Sequence, residues 1–114
     1  MVEGSCHCGA IKLQIDVAPD EVTDCNCSIC RRYGVLWAYY KASTVRVEAA
    51  PKAIRGYSWG RKALRFVRCA TCGCVMCWER VSPKPERKMG VNARNFEPKV
   101  LRSVRVIPLD GASF

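Results

Sequence analysis

Nine cysteines in 114 residues, gathered into three short clusters, constrain this chain more than any other feature. Cys6 and Cys8 come first, then Cys25, Cys27 and Cys30, then Cys69, Cys72, Cys74 and Cys77. A secreted chain can use such a density for disulfides. Three observations favour metal instead. The count is odd. Within each cluster one or two residues separate successive thiols, a spacing that suits chelation better than loop closure. The N-terminus, Met-Val-Glu-Gly-Ser-Cys, has no basic stretch followed by an apolar one, so no signal peptide is read there. The expected compartment is the reducing cytoplasm. No apolar run approaches the roughly 18 residues of a membrane span.

The length suits one domain over residues 1–114, and a 49% hydrophobic content is enough for a core. A domain of this size buries only roughly two-thirds of its unfolded surface, so a metal crosslink would matter to its stability. The formal net charge of +9 suits an anionic small molecule or nucleic acid, and equally a surface that is basic for solubility alone.

The apolar pattern reads as mainly β. Between residues 10 and 17, Ile11, Leu13, Ile15 and Val17 fall on one face and Lys12, Gln14 and Asp16 on the other, the period of a half-buried strand. Cys6 and Cys8 precede it at strand spacing, with side chains able to point the same way. Residues 24–34 read as a compact loop, residues 36–40 as an aromatic strand, and residues 44–48 as a strand with Val45 and Val47 inward. Residues 51–60 read as turns. Leu64, Phe66 and Val67 lead along a strand to Cys69, with residues 74–81 as its hairpin partner. Residues 82–88 read as a loop, 97–104 as one short helix with Pro98 in its first turn, and 105–109 as a last strand.

The cysteine spacings differ in strength. Cys6-x-Cys8-Gly9 is weak alone, because two thiols do not complete a tetrahedral site. Cys25-x-Cys27-x-x-Cys30 supplies three. Cys69-x-x-Cys72-Gly73 is the best single signal, since that spacing puts two sulfurs on one ion. Thiolate-rich sites favour zinc or an iron–sulfur cluster. Structural zinc takes four protein ligands and catalytic zinc keeps an open position. Two groupings satisfy the arithmetic: Cys6 and Cys8 with Cys69 and Cys72, or a site closed within residues 69–77 by Cys74 and Cys77.

Three segments resemble, in this order, the glutathione-dependent formaldehyde-activating (centromere protein V) family. They are Gly4-Ser5-Cys6-His7-Cys8-Gly9-Ala10-Ile11, Cys25-Asn26-Cys27-Ser28-Ile29-Cys30-Arg31-Arg32 and Cys69-Ala70-Thr71-Cys72-Gly73-Cys74. Met89-Gly90-Val91-Asn92-Ala93-Arg94 and the ending Leu109-Asp110-Gly111 are similar to a bacterial branch of it. The resemblance implies a small zinc-bound β-sheet domain of the Mss-four-like type, with at most short helices. It implies a structural zinc on Cys6, Cys8, Cys69 and Cys72 and a second, catalytic zinc on Cys25, Cys27 and Cys30, two ions per chain. Cys74 and Cys77 are left over, and Cys77 stands where relatives often carry histidine.

The implied reaction is that of a carbon–sulfur lyase, joining glutathione or another thiol to formaldehyde to give S-hydroxymethylglutathione. Coordination favours the thiolate over a free thiol of pKa about 8.5, and thiolate is the nucleophile for an aldehyde carbon. Zinc could instead polarise the carbonyl oxygen. Three thiolate ligands make such an ion a weak Lewis acid, so delivery of a thiolate is the preferred route. Arg31 and Arg32 are candidates to hold a substrate carboxylate. Trp37, Tyr39, Tyr40 and Trp59 are candidates to wall a pocket, though aromatics more often pack the core. His7, between two ligands, should face away from their metal. The alternatives are a non-catalytic basic zinc module for nucleic acid or a protein partner, and a redox or metal-handling protein.

Overall fold

The computed structural model describes residues 1–113. Ten strands and two short helices follow in order: β1 (Val2–Ser5), β2 (Lys12–Ile15), β3 (Glu21–Cys25), α1 (Ser28–Tyr33), β4 (Trp37–Lys41), β5 (Val45–Glu48), β6 (Ile54–Tyr57), β7 (Leu64–Cys69), β8 (Val75–Arg80), β9 (Lys88–Asn92), α2 (Pro98–Leu101) and β10 (Arg105–Leu109). They form a three-stranded sheet, β1-β2-β5, and a seven-stranded sheet, β10-β3-β4-β9-β8-β7-β6. The expected mainly β fold with short helices is what the chain adopts. Every strand pairing is antiparallel except β10 on β3, which joins the last strand to one of the first.

The main core gathers residues of both sheets. Ile11, Leu13 and Ile15 are wholly buried there with Val22, Met76 and Val91, while Lys12 faces solvent. The alternation stops at Ile15, because the chain bends at Asp16 and leaves Val17 69% exposed, against the expectation that Val17 shares the buried face. Val47 is likewise exposed. It lies on β5, an outer strand of the three-stranded sheet, where only Val45 packs on the core.

Two further readings are corrected, and one strand is added. Residues 51–60 hold a strand, β6, between a turn opened by Pro51 and the turn at Gly60; Arg55 and Gly56 hide its strand character. The polar stretch at residues 21–25 is also a strand, anchored by Val22 and Cys25. The rest of the expected loop at residues 24–34 is mostly the helix α1, with Cys27 at its N-cap and Gly34 in the left-handed conformation closing its C-terminus. Cysteine is not a usual capping residue, so the start was hidden.

Asn92 fastens the centre of the larger sheet. Its buried amide donates to the Val75 carbonyl at 2.9 Å and accepts from the backbone of Leu36 and Arg94, each at 3.3 Å. Replacing Asn92 with leucine leaves the Leu36 amide unpaired. A cost of about 1–3 kcal/mol is expected, read as a thermal midpoint lowered by roughly 4–15 °C.

Among the described residues no helix is long and apolar enough to cross a membrane.

Candidate functional site

All nine cysteines are free thiols, and seven of them converge into two sets. Cys6, Cys8, Cys69 and Cys72 bring their sulfurs within 4.8 Å of one another, and Cys25, Cys27 and Cys30 do the same separately. Of the two groupings open to the spacing, the chain thus assembles the cross-linked one.

The four-sulfur set is made by two turns of similar design. Cys6 and Cys8 do not lie on a strand as expected. β1 ends at Ser5, and the chain turns tightly, the Gly9 amide donating to the Cys6 carbonyl at 3.1 Å. At the tip of the β7–β8 hairpin the Gly73 amide donates to the Cys69 carbonyl at 3.0 Å. Gly9 and Gly73 have φ of +83° and +78°, which L residues rarely adopt, so glycine after the second cysteine is a backbone requirement in both. The turns aim amides at sulfur: Ile11 at Cys6, 3.3 Å, and Thr71 and Cys72 at Cys69, 3.4 and 3.5 Å. Cys72 is drawn down to about 5 by the backbone amides of Cys74 and Cys8, and Cys69 is lowered by those of Cys72 and Thr71. Cys8 moves the other way: against the Ala10 amide, which lowers it, the Cys69 thiol and burial push it up to about 11, so the backbone favours thiolate at Cys69 and Cys72 and a cation is needed to hold it at Cys8.

The Cys6–Cys8 and Cys8–Cys69 sulfurs stand 3.7 and 3.6 Å apart. Thiolates sharing one tetrahedral ion at about 2.3 Å would be about 3.8 Å apart, so the donor set fits such an ion.

The three-sulfur set is built by β3 and α1. Cys25 ends the strand, Cys27 caps the helix by accepting the Cys30 amide at 3.4 Å, and Cys30 lies in the helix with the Trp37 indole N–H donating to it at 3.3 Å. Burial pushes the Cys30 thiol up to about 12 and raises Cys25 too. At Cys27 burial acts in the same sense, but the Cys30 amide and the neighbouring thiols outweigh it and bring the group below its ordinary value. Holding all three as thiolates therefore calls for a cation, which this set could bind.

The C-terminal segment closes one side. Asn26, between two cysteines of the set, donates to Asp110 Oδ1 and accepts from the Ala112 amide, both at 3.0 Å, and its own amide reaches the Leu109 carbonyl at 3.1 Å. Gly111 packs so closely that a Cβ there would lie 2.5 Å from the Cys25 sulfur. Gly111→Val is expected to lift residues 110–113 away and speed alkylation of Cys25 in the metal-free protein by about tenfold or more, the mark of a local opening.

On its open side the set faces a cleft of about 400 Å³, lined by all three of its cysteines. Trp37 and Phe66 are buried in it with ring centroids 6.2 Å apart; Trp78 stands beside Tyr39 at 6.1 Å, and Trp59 and Tyr39 form an exposed rim. Trp78 can lie flat because its partner on β9 is Gly90, where a Cβ would meet the indole nitrogen at 2.1 Å.

A model of the glutathione-dependent formaldehyde-activating enzyme family matches residues 1–104. The chain belongs to that family. Among solved structures, the crystal structure of a Rhodobacter sphaeroides protein is similar, with a TM-score of 0.73 and 30% identity over 91% of this chain and 98% of that one. Within this family member, residues 105–113, which supply β10 and the Gly111 closure, lie beyond the matched segment.

Several expected residues stand elsewhere. Arg31 and Arg32 are exposed in the last turn of α1, and Arg32 donates to the Ser28 carbonyl at 2.8 Å. Neither lines the cleft, whose arginine is Arg61. Tyr40 packs on the main core, its hydroxyl donating to the Val17 carbonyl, because on β4 it points opposite to Tyr39. Trp37, Tyr39 and Trp59 do wall the cleft. Phe66 and Trp78 were missed there, although alternation sets Leu64 and Phe66 on the face of β7 opposite Val67, and Trp78 stands across from Phe66 on β8. His7 is exposed, and its imidazole is not among the donors at either set. Cys77 is buried on β8, where burial pushes its thiol up to about 12. Cys74 stays outside the four-sulfur group.

Proposed function

We propose that this chain is a cytoplasmic zinc protein with carbon–sulfur lyase chemistry, joining a thiol to a small aldehyde. The family description names glutathione and formaldehyde. Cys6, Cys8, Cys69 and Cys72 hold a structural zinc, and Cys25, Cys27 and Cys30 hold a reactive one. The observation that carries this reading is that the three-sulfur set lines a cleft while the four-sulfur set closes on itself. All-sulfur donors suit zinc, and the free thiols suit a reducing compartment.

Cys25, Cys27 and Cys30 would hold the zinc, which would supply an open position favouring the thiolate form of an incoming thiol. The chain's residues do the rest. The Trp37 indole and the Cys30 amide donate to sulfurs of the set and spread their negative charge. With three anionic donors the set favours delivery of a soft thiolate over polarisation of a carbonyl oxygen. The aromatic walls limit water around the aldehyde, while the rim at Trp59 and Tyr39 stays open to solvent. The thiolate sulfur attacks the carbonyl carbon, the carbonyl π electrons pass to oxygen, and the proton given up by the thiol returns from solvent to that oxygen. The product is a hydroxymethyl thioether.

The test is a titration of cobalt-substituted protein with glutathione. New thiolate-to-cobalt charge-transfer absorption, in proportion to one of two ions per chain, is the expected result. No response to millimolar glutathione or to any other small thiol, together with salt-sensitive DNA binding, would leave a non-catalytic basic zinc module.

A further inference from the structure

The cleft over Cys25, Cys27 and Cys30 is chemically lopsided. Trp37, Tyr39, Trp59, Phe66 and Trp78 make its walls, Tyr39 bringing one phenol hydroxyl at the rim, and Leu64 adds aliphatic surface. Cysteines aside, Arg61 is its one charged residue among the described residues, and it holds no carboxylate. Arg61 sits in the exposed turn between β6 and β7, beside the rim residue Trp59. The turn is fixed by the Lys62 amide on the Trp59 carbonyl at 3.0 Å and by the Ser58 hydroxyl on the Leu64 carbonyl at 2.8 Å.

These walls fit glutathione poorly. Its γ-glutamyl end carries an ammonium beside a carboxylate, and its backbone amides need partners. Desolvating such groups against indole and phenyl faces, with no carboxylate for the ammonium, is unfavourable. Formaldehyde is far too small to need a space of about 400 Å³. An aromatic or similarly bulky apolar body gains by burial against these rings and by offset stacking. A single anionic group at its far end would meet Arg61.

We infer that the thiol this chain binds has an apolar, aromatic-sized body and one carboxylate, its sulfur directed to Cys25, Cys27 and Cys30, its ring among Trp59, Phe66 and Trp78, and its carboxylate at Arg61. This rests on the thiol-binding role proposed for the three-cysteine set, and it replaces glutathione as the preferred partner. The other, small aldehyde, is unchanged.

All three tryptophans of the chain line the cleft, so their fluorescence reports an occupant directly. The zinc-loaded protein is titrated with 4-(sulfanylmethyl)benzoic acid, whose thiol and carboxylate lie at opposite ends of the ring, with its carboxamide and with glutathione. The acid is expected to saturate the quenching at a concentration about tenfold or more below that of glutathione. Arg61→Ala should weaken the acid about tenfold, towards the carboxamide, and leave the carboxamide unchanged, since Arg61 is exposed and the fold does not depend on it. Trp59→Ala should weaken both aromatic thiols. Glutathione binding as tightly as the aromatic acid would overturn the inference, as would an Arg61→Ala effect equal for acid and carboxamide. The cobalt-substituted protein separates the two levels. Bands that respond to glutathione and not to the aromatic acid sink this inference alone. Bands that respond to no thiol sink the thiol-binding role with it.

Discussion

Cys69→Ser is expected to leave the chain without a cooperative fold, even with zinc in excess. Cys69 ends β7 in the seven-stranded sheet, and its sulfur stands 3.6 Å from that of Cys8, which follows β1 of the three-stranded sheet. The contact spans 61 residues of sequence and ties one sheet to the other. Structural zinc on cysteines contributes apparent folding free energies of about 10–16 kcal/mol. The whole stability of a domain is about 5–15 kcal/mol, so losing even part of that contribution removes the margin. Serine is a poor ligand for zinc at neutral pH, and it also leaves the Thr71 and Cys72 amides directed at a weaker acceptor. Far-UV circular dichroism and a thermal melt check the result. A cooperative melt within a few degrees of the parent protein would remove the structural role proposed for the four-sulfur set. Chelation at neutral pH, with a reductant present, should unfold the parent in the same way.

The parts of this molecule that were readable in its sequence are those governed by short-range rules. Alternation marked β2 and β7, a run of aromatics marked β4, and the pairing of Cys-x-x-Cys with glycine marked the hairpin tip at Cys69–Gly73. What was hidden depends on partners distant in sequence. β3 is a polar segment that becomes a strand because β4 and β10 flank it. α1 begins at a cysteine that caps a helix while also facing two other thiols, so its capping role has no familiar residue to announce it. Val17 and Val47 follow the buried phase of their strands but stand at a strand end and on an edge, which alternation does not register.

The same division runs through the candidate site. The cysteines were legible because a thiol set able to hold a metal is announced by its local spacing. The cleft was legible only in part, since its walls come from β4, β7, β8 and the turn after β6. Arg61 could not be preferred over Arg31 and Arg32 by proximity to Cys30. The helix turns Arg32 back onto the Ser28 carbonyl, while the hairpin brings Arg61 across from a distance. The closure by Gly111 required knowing that β10 returns parallel to β3, so that Asn26 meets Asp110.

Cys27→Ser is expected to do the reverse of Cys69→Ser: the chain folds, binds one zinc instead of two, and loses its acceleration of thiol addition. Cys27 is the least buried of its set, so the change leaves no apolar cavity. Serine is moreover a preferred N-cap, and its hydroxyl can accept the Cys30 amide that Cys27 accepts now. The helix that carries Cys30 should therefore persist. Two sulfurs remain, too few to hold an ion against solvent and buffer ligands. At pH 7 a free thiol of pKa about 8.5 is only a few per cent ionised, so losing the position that favours thiolate costs about 30-fold in nucleophile alone. The lost alignment of thiol and aldehyde adds to this. Adduct formation should fall close to the uncatalysed rate, while the thermal midpoint moves by only a few degrees and metal analysis gives one ion per chain. A Cys27→Ser protein that kept full activity would take the three-cysteine set out of the chemistry. One that failed to fold would make that set structural, and the cleft beside it would need another explanation.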